Sequence, residues 1–358
     1  AAFMKRIIYR GRNGVRAFRR WFIPFVYSRI HQDRFRPVLC YLYTDWKSNI
    51  DCHYCFQFDN DRPGMTLETA KSSIDWLESV GCRVVALMGG EPLVRPEFIL
   101  EVIRYGSGKG FFMYLPTNGY LMDEQFIDDA GRAGVTAINL AVDCIAPRRG
   151  LPKALLAVEP QFRYLVKQQK KWGFLVFFNI NICRTNIKDV KLLTEIARQN
   201  RIGTDYHLVE APLDVVNTEH FKHQDFNLGI TPDEYEEVDE LLDWLIARQR
   251  EGWTMVNSIT HLQAMKERMR GNLRSWDCRA GHNGSLIRPD GTLSPCFDLI
   301  TYDYDWGRIW EPRFDPQALM EIRKSCMPKC SSTCYHTIAS YYDLNTIPQW
   351  LLKHPRMG

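Results

Sequence analysis

No run of about eighteen apolar residues occurs in the 358-residue chain, so no obvious membrane-spanning helix is present. A secretory signal is lacking as well: the N-terminus is basic but has neither an uninterrupted apolar core nor a cleavage site. Low-complexity stretches and internal repeats are missing, apart from the strand–helix alternation below. Acidic residues are scarce at the start. Through residue 36 there are ten Lys and Arg against one acid, Asp33, leaving 36 basic and 41 acidic side chains in the remainder. The formal charge of +4 therefore hides a basic arm on a mildly acidic body. Ala1-Ala2-Phe3 ahead of Met4 read as a tag remnant, with Met4 as the natural start.

What is abundant is cysteine. A hydrophobic share of 45% and a charged share of 25% are ordinary for a globular protein, but eleven cysteines are not. In a large chain without a secretory signal they point to metal or redox chemistry rather than to disulfides, and to a cytoplasmic setting. Their clustering agrees. Cys52 and Cys55 are three apart, and five more fall between 278 and 334. Cys82, Cys144 and Cys183 are isolated in strand-like surroundings and read as core.

Residues 37–44 read as a strand that leads into the loop holding Cys52 and Cys55. Helical and strand patterns then alternate: helix 66–80 with Thr66 as N-cap, strand 83–88, helix 96–108, strand 111–115, helix 123–133, strand 135–142, helix 159–172, strand 174–182, helix 188–199 and strand 204–209. This alternation predicts an α/β fold with a parallel sheet, curved into a partial (β/α)6 TIM-like barrel. Residues 210–230 look irregular, 232–250 form an amphipathic helix, and 255–270 another. The expected organisation is an arm at 4–36, a barrel at 37–235, a helical linker at 236–275, a cysteine-rich domain at 276–340 and a tail at 341–358.

Cys-x2-Cys alone is shared by zinc knuckles and thioredoxin-like sites. Here it follows the first strand of a barrel, where such folds place their active-site loops. A structural zinc would need two more nearby ligands, and only His53 is close. The segment Thr44 to Cys55, TDWKSNIDCHYC, resembles the radical S-adenosylmethionine (SAM) signature Cys-x3-Cys-x2-Cys. Asn49 and Tyr54 match frequent companions, and Gly89-Gly90-Glu91-Pro92 resembles that family's Gly-Gly-Glu-Pro motif. Thr117-Asn118-Gly119 and Ala141-Val142-Asp143 also resemble family segments, although a turn and a strand end would look the same.

The resemblance implies a [4Fe–4S] cluster on Ser48, Cys52 and Cys55 with SAM on its open iron. Gly89 and Gly90 would give close backbone approach and Glu91 would accept from the SAM amino group, with Asn118 and Asp143 as further cofactor or substrate contacts. It implies reductive cleavage of SAM to a 5′-deoxyadenosyl radical, supplied with electrons by flavodoxin or ferredoxin, and modification of an unactivated C–H or alkene position. No residue is assigned as catalytic in its own right. One departure stands out: the first cluster position is Ser48, a poorer and harder ligand than thiolate. Either it is an engineered substitution, or the natural protein uses serine, or Cys40 serves instead. An engineered Ser48 would cost this chain its cluster and activity.

The C-terminal cysteines Cys278, Cys296, Cys326, Cys330 and Cys334 resemble the SPASM or twitch extension of radical SAM enzymes, with a hairpin turn at Pro289-Asp290-Gly291. The usual triplet spacing is Cys-x2-Cys-x5-Cys; here it is three and three. Five thiolates suffice for one auxiliary [4Fe–4S] cluster, with zinc as the alternative. Over residues 4–30, Ile7, Ile8, Val15, Phe18, Trp21, Phe22, Phe25 and Val26 recur at helical intervals opposite arginines. The arm thus reads as a basic amphipathic helix for an anionic membrane surface, peripheral on the cytoplasmic face. Packing on the chain's own barrel is the alternative, and the helical stripe of aromatics argues against a nucleic-acid arm. These features favour a lipid or membrane-associated substrate, with a ribosomal peptide second and a non-catalytic zinc or nucleic-acid-binding protein a remote third.

Overall fold

The computed structural model of the chain describes residues 19–20, 23–30, 35–209, 228–272, 276–301, 304–328, 330 and 332–340. Most of the 4–30 arm lies outside that set; its described helix is α1, Ile23–Ile30. Six strands follow one another along the chain: β1 Leu39–Asp45, β2 Val84–Gly89, β3 Phe112–Thr117, β4 Ala137–Ala141, β5 Leu175–Ile182 and β6 Gly203–Leu208. They pair in sequential order and all in parallel. The connecting helices are α2 Leu67–Ser79, α3 Pro96–Gly108, α4 Glu124–Ala133, α5 Glu159–Trp172 and α6 Ile187–Gln199, then α7 Tyr235–Arg250 and α8 Ile259–Met269. The expected α/β partial barrel is therefore present, as an open sheet.

Local chemistry places the helix ends. Thr66 caps α2 by accepting from the Thr69 amide at 3.1 Å, and Asp123 caps α4 by accepting from Phe126 at 2.7 Å. Gly134 ends α4 at φ 98°, a conformation open to glycine. Strands β3 and β5 alternate between buried and half-buried positions, whereas β1 is buried along its whole length.

The full burial of β1 has a non-local cause. The sheet has eight strands in the order β6-β5-β4-β3-β2-β1-β7-β8, where β7 is Gly284–Ile287 and β8 is Leu293–Ser294. β7 pairs in parallel with β1, and β8 turns back antiparallel on β7. The hairpin of the cysteine-rich segment thus extends the barrel's own sheet. Cys40, Leu42, Val85 and Leu87 face the helix-side core, while Tyr41, Tyr43, Val84 and Ala86 pack against Phe297, Ile300, Tyr335 and Ile338. Ring contacts fix this second layer, with Tyr41 4.7 Å from Phe297 and 6.0 Å from Tyr335. Burial of each such apolar side chain contributes about 1.5–3 kcal/mol. A small hairpin, β9 Gly307–Arg308 with β10 Glu311–Pro312, and the helices α9 Pro316–Cys326 and α10 Thr333–Ser340 complete the segment.

Candidate active site and cysteine cavity

The residues singled out from the sequence gather at the C-terminal ends of the parallel strands. β1 ends in Asp45, whose carboxylate pairs with Arg95 Nε at 2.9 Å. Arg95 also donates to the carbonyls of Thr44 and Met65, at 3.0 and 2.8 Å. This brace fixes both ends of the loop that carries Ser48, Cys52 and Cys55. The β2 turn is pressed against the same loop: Gly90 donates to the Asp45 carbonyl at 2.9 Å and Glu91 to that of Lys47 at 2.7 Å. A Cβ at Gly90 would lie 2.3 Å from the Lys47 oxygen, so only glycine permits this approach.

Within the loop, Cys55 donates to the Cys52 carbonyl at 3.0 Å and His53 to Gly150 at 3.1 Å. Cys52 is buried, whereas Cys55 and Ser48 are partly accessible. The Ser48 hydroxyl donates to the Ile50 carbonyl at 3.1 Å, and its amide to Asn60 Oδ1 at 2.9 Å. Cys40 is remote from this chemistry. It sits fully buried in β1 between β2 and β7, accepting from Ser285 at 3.5 Å. Cys82, Cys144 and Cys183 are likewise buried.

Glu91 ties three strand ends together. Its carboxylate accepts from Leu93 N at 3.0 Å, Thr117 Oγ1 at 2.6 Å and Asn118 N at 2.8 Å. That leaves one of about four acceptor directions for an incoming donor. Asn118 donates from its side chain to Asn49 at 2.8 Å, so the third strand also reaches the cysteine loop. Asp143 is fully buried and accepts from Tyr54 OH at 2.5 Å and Asn181 N at 2.8 Å. Burial pushes both carboxyls above their ordinary values despite these donors. It also pushes the Cys52 thiol up to about 12 and raises Cys55.

One central residue went unforeseen. Lys153 follows β4, and its ammonium lies over the Tyr54 ring, 5.3 Å from the centroid. Burial disfavours its charge, yet Cys52, Asp143, Cys55 and Glu91 together more than offset that and raise its pKa. Two thiols, two carboxylates and one cation therefore share one neighbourhood. No motif announces Lys153; it is a single lysine between Pro152 and Ala154 in an irregular loop.

The radical SAM superfamily model matches residues 48–163, from Ser48 through the strand ends just described. Residues 48–163 are thus a radical SAM domain. Among relatives, an AdoMet-dependent heme synthase of Methanosarcina barkeri (strain Fusaro / DSM 804) is 25% identical over 317 residues, covering 78% of this chain and 86% of that protein. An Fe-coproporphyrin III synthase of the same organism is 26% identical, over 49% of this chain and 45% of its own length. The chain thus spans less than half of that second relative. In structure it resembles Streptococcus suis SuiB bound to S-adenosylmethionine (TM-score 0.62, 15% identity, 84% of this chain and 73% of that one). It also resembles anSMEcpe with bound AdoMet (TM-score 0.56, 17% identity, 79% and 80%). At those identities the likeness is one of fold. Radical SAM enzymes use a [4Fe–4S] cluster with SAM, and the matched segment opens at Ser48 and contains the Cys52 and Cys55 thiols.

A second cysteine group lies under the hairpin. Cys278, Cys296, Cys326 and Cys330 line one cavity, together with Asp298 and Tyr335. Cys334 does not line it; it is on α10, where its thiol hydrogen-bonds the Tyr41 hydroxyl. Burial, with Asp298 nearby, holds the Cys296 thiol well above its ordinary value, and Cys326 is pushed up to about 11. Among the described residues, no three His, Cys, Asp or Glu side chains are already drawn to metal-holding distance. The cavity nonetheless suits an acceptor-rich group, since buried donors on its wall have no acceptor among the described residues: Trp276 Nε1, Arg323 Nε and Tyr335 OH.

Proposed function

We propose that this radical SAM enzyme works with two iron–sulfur centres. One is a SAM-binding [4Fe–4S] cluster at Ser48, Cys52 and Cys55; the other is an auxiliary [4Fe–4S] cluster at Cys278, Cys296, Cys326 and Cys330. The observation that carries the reading is the joining of the strand ends to the cysteine loop, with Glu91 held by Thr117 and Asn118, Asn118 on Asn49, Tyr54 on Asp143, and the Lys153 ammonium over the Tyr54 ring. Thiolates that take up iron are anionic, and a buried cation among them offsets that charge. When bound, the cluster and SAM supply a 5′-deoxyadenosyl radical for attack on an unactivated position. The residues do the rest. Gly89 and Gly90 bring backbone close to the cofactor, Glu91 keeps one acceptor direction for the SAM ammonium, and Asn118 aligns the Asn49 side of the loop. Asp143, tied to Tyr54 and Asn181, holds a fixed acceptor at the barrel mouth. Ser48 leaves the first centre short of a thiolate, which predicts weak loading there; once loaded, the centre takes its electrons from a donor such as flavodoxin or ferredoxin, as the family resemblance implies.

For the substrate, the first reading is a lipid or membrane-associated molecule. The described part of the basic arm supports it: α1 leaves Ile23, Val26, Tyr27 and Ile30 exposed. A second reading, an iron porphyrin, is favoured by the heme synthase relative that covers 78% of this chain. The test is 5′-deoxyadenosine release from SAM and dithionite by a Ser48→Cys variant. Anionic phospholipid vesicles and Fe-coproporphyrin III are supplied in separate reactions. Release above background supports the enzyme reading, and the probe that accelerates it identifies the substrate class. No release in a variant carrying both clusters overturns the reading.

A further inference from the structure

Within the cysteine cavity, the three donors that lack acceptors occupy different elements. Tyr335 comes from α10 and is fully buried; Arg323 comes from α9; Trp276 precedes the hairpin. Arg323 spends its Nη2 on the Ala280 carbonyl and on His282 Nδ1, both at 2.7 Å, which leaves Nε turned to the cavity wall. Trp276 is clamped face to face on His336 with ring centroids 3.5 Å apart, so its indole N–H has a fixed direction. A buried donor left unmatched loses its hydrogen bond to water with nothing in return. Three such donors around four thiols are a pattern that sulfur acceptors would satisfy.

Resting on the auxiliary-cluster reading above, we propose that Trp276 Nε1, Arg323 Nε and Tyr335 OH donate hydrogen bonds to the sulfurs of that cluster and raise its reduction potential. The physical reason is charge. One-electron reduction adds negative charge to the cluster sulfurs, and donors aimed at them stabilise the reduced state more than the oxidised one. Cys334 is left out of the proposed ligand set because it does not line the cavity. These three are positioning and tuning residues, and the quantity they govern is a potential.

The test uses the full chain as written, with Ser48, reconstituted anaerobically with iron and sulfide and titrated electrochemically with EPR detection. Tyr335→Phe removes a single donor while keeping its ring, and Trp276→Phe removes one while leaving a smaller aromatic ring against His336. The expected result is a more negative midpoint in each variant, by roughly a tenfold change in the reduction equilibrium, about 59 mV for one electron. Tyr105→Phe, which alters a tyrosine paired with Asp75 far from the cavity, leaves it unchanged. A second readout needs no variant: transfer of the unaltered protein to D2O shifts its Fe–S Raman bands if exchangeable donors bond the sulfurs. A cluster with unshifted bands and unchanged midpoints in both variants overturns this inference alone. Failure of the unaltered chain to hold any iron–sulfur cluster overturns the reading on which it rests.

Discussion

Replacing Gly90 by alanine should cost the protein both stability and its grip on the cysteine loop. The added Cβ would sit 2.3 Å from the Lys47 carbonyl oxygen, 2.6 Å from its carbon and 2.6 Å from the Trp46 oxygen. All three are backbone atoms, so no flexible side chain can swing away. Overpacking of this kind costs about 1–3 kcal/mol. The forced separation also breaks the bonds from Gly90 to Asp45 and from Glu91 to Lys47, each worth about 0.5–1.5 kcal/mol. The expected loss is therefore about 2–6 kcal/mol. Gly108→Ala provides the opposite sign: a Cβ there meets nothing within 4 Å, in the last turn of α3, and should stabilise by about 0.5–1 kcal/mol. Urea unfolding of the two variants beside the parent checks both numbers. A Gly90→Ala protein as stable as the parent would refute the close docking of the β2 turn on the cluster loop.

Three other perturbations probe the same neighbourhood. Lys153→Met strips the buried carboxylates and thiols of their cation, so it should destabilise at pH 8. The Lys153 pKa is raised on folding, so its contribution is complete below the ordinary lysine value of 10.5 and is lost as pH climbs through the raised one. The urea midpoints of parent and variant should thus draw together toward alkaline pH, and a gap that widens there contradicts the assignment. Tyr54→Phe leaves Asp143 short of a buried partner and should cost about 1–3 kcal/mol, read by the same unfolding measurement. In the cysteine cavity, Cys334→Ser should retain the iron of the parent chain while Cys278→Ser loses it, as followed by iron analysis after reconstitution.

The alternation of strands and helices was legible because each is a local pattern. Short apolar runs bounded by turn signals give β1 to β6, and capping residues such as Thr66 and Asp123 mark helix starts. What stayed hidden is non-local. The pairing of β7 with β1 joins residues some 245 positions apart, such as Cys40 with Ser285, and nothing in either segment specifies the other. The even spacing of Cys326, Cys330 and Cys334 gives no sign that the three part company in the fold. α9 ends at Cys326 and α10 begins at Thr333, and only the first two of these cysteines line the cavity. Lys153 was invisible for a different reason: its role comes from the anions that folding brings around it. Cys40 was open as a ligand in the sequence, and its burial between two strands removes it.

The central claim is that this chain holds two separate iron–sulfur sites, one complete and one lacking a thiolate. Iron analysis of the anaerobically reconstituted chain and of its Ser48→Cys variant tests it most directly. The account predicts about four irons per chain as written and about eight in the variant, four for each cluster. Zinc in place of iron, or equal iron in the two proteins, would contradict it.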